Sequence, residues 1–123
     1  MKLRKETQYS IKAIRILHKE NGRLLQAKEI AEGENIPVKF LYPILRKLSK
    51  EKLVIIERGI NGGYIATKKL DSFTLYDLLV LMEGDISLNF CTSGENCNVS
   101  DVFAQIDNGI KIALRNIKLI DIL

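Results

Sequence analysis

The sequence predicts a mostly α-helical fold with one small β-hairpin, a winged helix-turn-helix followed by a long C-terminal helix. Three observations carry this expectation. The β-branched run Leu53-Val54-Ile55-Ile56 breaks at Arg58-Gly59-Ile60-Asn61-Gly62-Gly63 and resumes at Tyr64-Ile65-Ala66-Thr67, which reads as two strands around a glycine-rich turn. Just upstream, two short helical patterns are joined by a tight turn, so the order is helix, turn, helix, hairpin, an arrangement suited to binding DNA. Last, an apolar repeat with helical spacing fills the C-terminal fifth of the chain.

Composition sets the class. A chain of 123 residues, 46% hydrophobic and 28% charged, has the balance of one soluble globular domain. No apolar stretch approaches the roughly 20 residues of a membrane span, and Met1-Lys2-Leu3-Arg4-Lys5-Glu6 has no apolar signal region behind its charges. A cytoplasmic protein without a membrane partner is expected. The net charge of +4 is unevenly spread: residues 1–70 hold 16 Lys and Arg against 7 Asp and Glu, and residues 71–123 hold 3 against 8. A basic first half that coincides with the helix-turn-helix pattern suits a phosphate-binding surface, because cations that displace condensed counterions supply much of the affinity for DNA. The plainer reading is a solvated lysine-rich surface.

The first helix is expected from about residue 6 to 20, with Ser10, Ala13, Ile14 and Leu17 on one face, Ile11 and Ile16 widening it, and Asn21-Gly22 ending it. A short second helix covers residues 26–32, with Ala27, Ile30 and Ala31 inward, and Gly33-Glu34-Asn35 forms the turn. The third helix spans residues 37–50, since Pro37 suits a first turn and Leu41, Ile44, Leu45 and Leu48 repeat at helical spacing. Its other side carries Lys39, Tyr42, Arg46, Lys47 and Lys50, long donors suited to phosphates and base edges. Pro43 removes a backbone donor and crowds the Lys39 carbonyl, so a kink, or a helix that becomes regular only beyond it, is expected there.

Beyond the hairpin, Lys68-Lys69-Leu70-Asp71-Ser72 is a polar connection. Thr74 caps a fourth helix that buries Leu75, Leu78, Leu79 and Met82 against the first and stops at Gly84. Residues 1–84 then form the DNA-binding domain, 85–98 a loop holding Cys91 and Cys97, and 99–123 a dimerisation helix. From residue 99 to about 119 the apolar positions Val102, Phe103, Ile106, Ile110, Ala113 and Ile117 form a seam longer than a small domain needs for its own core. A second copy of the chain is the expected partner.

The chain resembles the family of small dimeric winged-helix regulators typified by IscR and NsrR over essentially its full length. The residues that carry the likeness are Ile30-Ala31, Ile36, Phe40-Leu41, Leu45-Arg46-Lys47-Leu48, Leu53-Val54, Arg58-Gly59 with Gly62-Gly63-Tyr64, Thr74-Leu75-Tyr76-Asp77 and Glu83-Gly84. The resemblance implies a homodimeric transcription regulator, usually a repressor, on a partly palindromic operator of double-stranded DNA. It implies that Lys39, Tyr42, Pro43 and Arg46 face the major groove and that Arg58, Asn61, Gly62 and Gly63 reach the minor groove. Relatives that sense iron, redox state or nitric oxide hold an iron-sulfur cluster on three evenly spaced cysteines. Here Cys91 and Cys97 are present and the third position is Phe103, so a cluster, which takes about four ligands, would need Asp101, Asp107 or, across the dimer, a residue of the first helix, where some relatives place a carboxylate but this chain has Gln8. A cluster, a thiol or disulfide switch, and no sensory role all stay open; a stable structural disulfide fits a reducing cytosol least.

An enzyme is not expected. His18 is the only histidine, the acidic groups are scattered, and Gly59-Ile60-Asn61-Gly62-Gly63 lacks the lysine and hydroxyl residue of a phosphate loop. The alternatives to a DNA reader are a winged-helix module acting through a protein partner, and a regulator that senses a small metabolite without a cluster.

Overall fold

Five helices and one hairpin make up the computed structural model, which describes residues 2–87 and 98–123. Helix α1, Lys5–Lys19, buries Thr7, Ser10, Ala13, Ile14 and Leu17, the expected stripe extended by one turn. Asn21 and Gly22, both with positive φ, end it. Helix α2 spans Ala27–Glu34, two residues further than the sequence suggests, so the turn is confined to Asn35 and its neighbours. Asn35 adopts the left-handed conformation, and the Ile36 amide donates to the Ala31 carbonyl. Gly33 thus lies inside the helix rather than in the turn, and a Cβ there would stand 2.5 Å from Cδ1 of Ile16 on α1, whose side chain would have to shift.

Helix α3, Val38–Lys50, buries Leu41, Ile44, Leu45 and Leu48. It runs continuously through Pro43. Pro43 is the sixth helical residue, so the Lys39 carbonyl loses its usual donor, while the buried stripe on both sides of it keeps the helix seated on the core. Strands β1, Val54–Glu57, and β2, Gly63–Ala66, pair antiparallel with Val54 opposite Ala66 and Glu57 opposite Gly63. A third extended element joins them: Leu25 pairs with Tyr64 through two backbone hydrogen bonds of 2.8 and 2.7 Å. The wing is therefore fastened to the connection between α1 and α2.

Lys68–Ser72 forms a short 3-10 turn whose Leu70 is buried. Helix α4, Leu75–Glu83, starts from a capping box in which Thr74 Oγ1 accepts from the Asp77 amide at 3.1 Å and Asp77 Oδ2 accepts from the Thr74 amide at 3.0 Å. It buries Leu78, Leu79 and Met82 as expected, whereas Leu75 in its first turn is only half-buried. Helix α5, Asn98–Arg115, ends earlier than the apolar repeat suggests. The chain then turns back: the Leu75 amide donates to the Ile117 carbonyl, the Leu119 amide to the Phe73 carbonyl, and the Leu119 side chain is fully buried. A single core built from Leu17, Leu41, Leu45, Leu78 and Leu119, among others, unites these elements.

Candidate nucleic-acid interface

The face of α3 opposite its buried stripe exposes Lys39, Tyr42, Pro43, Arg46 and Lys50. Because Leu41, Ile44, Leu45 and Leu48 fix the rotation of the helix, these positions have no choice but to face outward. Lys47 differs. It is half-buried, and its ammonium lies 3.8 Å from Glu6 Oε2 at the start of α1. The Lys39 ammonium stands 5.2 Å from the centre of the Phe40 ring, which in turn lies 5.2 Å from that of Tyr9 on α1. Aromatic packing thus orients this lysine without neutralising it.

The wing completes the surface. Its loop, residues 58–62, is closed by a hydrogen bond from the Gly62 amide to the Gly59 carbonyl at 3.0 Å, with Gly59 at φ +111°. Arg58, Ile60 and Asn61 are exposed at the tip. Gly62 and Gly63 have demands inside the chain: a Cβ on Gly62 would strike the Glu57 carbonyl, and one on Gly63 would stand 2.5 Å from the Leu25 carbonyl. Tyr42 and Arg46 from α3 and Ile56, Arg58 and Tyr64 from the hairpin line one shallow recess. Burial in that recess, with Tyr42 beside it, pushes the Tyr64 hydroxyl above its ordinary pKa, while Arg46 pulls the other way. The helix and the wing therefore present one continuous face. In the sequence Tyr64 reads only as the start of the second strand; its place beneath this recess goes with the Leu25 pairing, which short-range patterning does not reveal.

Arg4, Arg15, Arg23 and Lys47 each meet a carboxylate, Arg15 through two contacts with Glu34 at 2.8 and 2.6 Å. Among the described residues, no carboxylate pairs with Lys39, Arg46, Lys50 or Arg58. Cations left unneutralised on one exposed face are available to phosphates.

The Rrf2 family, described as iron-dependent transcriptional regulators, matches residues 3–123. The chain belongs to the Rrf2 family. It is therefore a helix-turn-helix transcriptional regulator and not an enzyme. It is 30% identical over 83 residues to a putative helix-turn-helix transcriptional regulator of Aquifex aeolicus, covering 68% of this chain and 58% of that relative. The NsrR regulator of Oceanobacillus iheyensis is 29% identical over 111 residues, or 83% of this chain and 76% of that one. In structure, CymR, the global cysteine regulator of Bacillus subtilis, superposes with a TM-score of 0.83 at 25% identity, over 99% of this chain and 95% of that chain. The winged fold is thus shared with Rrf2 structures.

Two further features bear on how this Rrf2 regulator works. On α5, Val102, Ile106, Ile110 and Ala113 are all exposed, whereas Phe103 and Leu114 are half-buried. The first four share one exposed face of the helix; Ile117, beyond the helix end, is half-buried and held by its backbone against the start of α4. Cys91 and Cys97 lie outside the described residues. Among the described residues, no three His, Cys, Asp or Glu side chains are placed to hold a metal ion, and the side chain of Gln8 donates to the Leu3 carbonyl at 3.1 Å. A cluster takes about four ligands, and the sequence offers two thiols with Phe103 at the third position. No helix among the described residues is long and apolar enough to cross a membrane.

Proposed function

We propose that the chain acts as a homodimer on a partly palindromic operator, with α3 in the major groove, the wing in the minor groove, and repression as the outcome. The observation that carries this reading is the shared face on which Arg46 and Tyr42 of α3 meet Arg58 of the wing. Two such faces related by a two-fold axis would read half-sites one turn of duplex, about 34 Å, apart. The exposed apolar stripe on α5 supports the dimer, since a lone helix gains nothing from displaying Val102, Ile106 and Ile110 to water. A reader of DNA in this role works in the cytoplasm.

Selection from a random duplex library, followed by a salt titration of the winning sequence, tests the proposal. Enrichment of a two-fold symmetric site bound by two chains, with affinity falling steeply with salt, is the expected result. Binding indifferent to sequence would overturn it in favour of a module acting through a protein partner. Repression is tested by placing that site over a promoter and measuring transcription with and without the protein. We also read Cys91 and Cys97 as holding no stable cluster. Anaerobic reconstitution with iron and sulfide should leave the protein colourless; a stoichiometric coloured product abolished by Cys91→Ala would reverse that reading.

A further inference from the structure

Ile60 is 96% exposed, the most exposed of the large apolar side chains of the described residues. It sits at the outermost point of the wing, in a turn whose geometry is fixed from both sides. Gly59 lies in the left-handed region, the Gly62 amide closes the turn onto the Gly59 carbonyl, and Gly62 has no room for a side chain. A β-branched residue held at the tip of a closed turn is stiff in backbone and in χ1, so it presents one shape. Its direction is also set. Ile60 borders the recess that contains Tyr42, Gly63 and Tyr64 and the start of α2, and Arg46 lines a neighbouring recess that shares Tyr42, Ile56 and Tyr64 with it. Donors stand on either side of it in Arg58 and Asn61, both exposed.

We propose that Ile60 is an apolar wedge that enters the minor groove and opens a base step there, making operator choice depend on how easily that step unstacks. This rests on the DNA-binding reading given above and adds a readout that carries no hydrogen bond. Isoleucine is among the side chains that can wedge between base pairs, and the flanking donors suit the acceptors on the groove floor. Pyrimidine–purine steps unstack most easily, so a TA or CA step should lie under each wing.

The test uses the full chain and the duplex chosen by selection. With 2-aminopurine placed step by step across the flank, the native protein should raise fluorescence at one position per half-site, and end-to-end energy transfer should report a bend. Ile60→Ala should abolish the fluorescence rise, reduce the bend and weaken binding about tenfold, with the salt slope unchanged because no charge is lost. Ile60→Leu should retain most of each signal. Arg58→Ala, by contrast, should flatten the salt slope by about one. Native protein that selects an operator, paired with an Ile60→Ala variant of equal affinity and bend, would overturn the wedge alone and leave the tip to some other contact, such as a protein partner. Failure of the native protein to select any sequence would overturn the wedge and the DNA-binding reading together.

Discussion

Arg46 and Lys47 are neighbours in sequence with different prospects on DNA. The first is exposed and unpaired among the described residues, while the second shares Glu6 with Arg4. Arg46→Ala should therefore weaken operator binding by about 1 to 3 kcal/mol if it contacts a base, or flatten the salt slope by about one if it contacts phosphate. Lys47→Ala should do less on both measures, because a phosphate must first compete with a carboxylate. Salt titrations of the two variants against the selected duplex would reveal an equal or reversed effect. Glu83 makes a different kind of contact. Its Oε1 accepts from the Thr7 hydroxyl and from the Arg4 amide, both at 2.7 Å, so the end of α4 caps the start of α1. The Thr7 hydrogen bond, then that of Arg4, hold this carboxyl below its ordinary pKa. A pKa lower in the folded than in the unfolded chain gives stability that is present above the unfolded value and lost as pH falls through the folded one. Glu83→Gln should thus flatten the loss of thermal stability in acid, and Glu83→Ala should cost about 1 to 3 kcal/mol near neutral pH. Identical acid profiles for native protein and Glu83→Gln would refute the link.

The elements were largely legible in the sequence because each is governed by local signals: the Asn21-Gly22 stop, the leucine and isoleucine stripe of α3, and the Thr74 and Asp77 capping box. What was not legible depends on contacts between distant residues. Gly33 looks like a turn residue until Ile16 is seen against it, and the end of α5 is hidden by Ile117 and Ile120, which continue the apolar spacing after the helix has stopped. The wing glycines are the clearest case. The resemblance implies that Gly62 and Gly63 reach the minor groove, and quite apart from DNA the carbonyls of Glu57 and Leu25 exclude a side chain from them. Gly63→Ala should accordingly lower stability by about 1 to 3 kcal/mol even with no DNA present, as steric overpacking does. A melting temperature equal to that of the native protein would show that Leu25 can give way. On α5, Ile106→Asp leaves the fold of one chain intact, since the side chain is exposed there, but would bury a charge without a partner between two chains. Sedimentation should find monomers that no longer hold the operator; an unaltered dimer would place the contact elsewhere.

Across the whole molecule, the basic face of α3 and the wing lies in the first 70 residues, and the acidic balance of the remainder falls on α4, α5 and their connections. This division was visible in the charge count, whereas the return of Leu119 to the core, which ties the C-terminal segment to Phe73, was not. The Leu25–Tyr64 pair has its effect at this scale too. A two-stranded hairpin by itself is only marginally ordered in water. Joined to Leu25, the hairpin is already in the shape it needs before any duplex arrives, so association has little chain freedom left to remove. The heat-capacity change on binding should then follow from the contact area alone, without the excess that accompanies a segment folding onto its target.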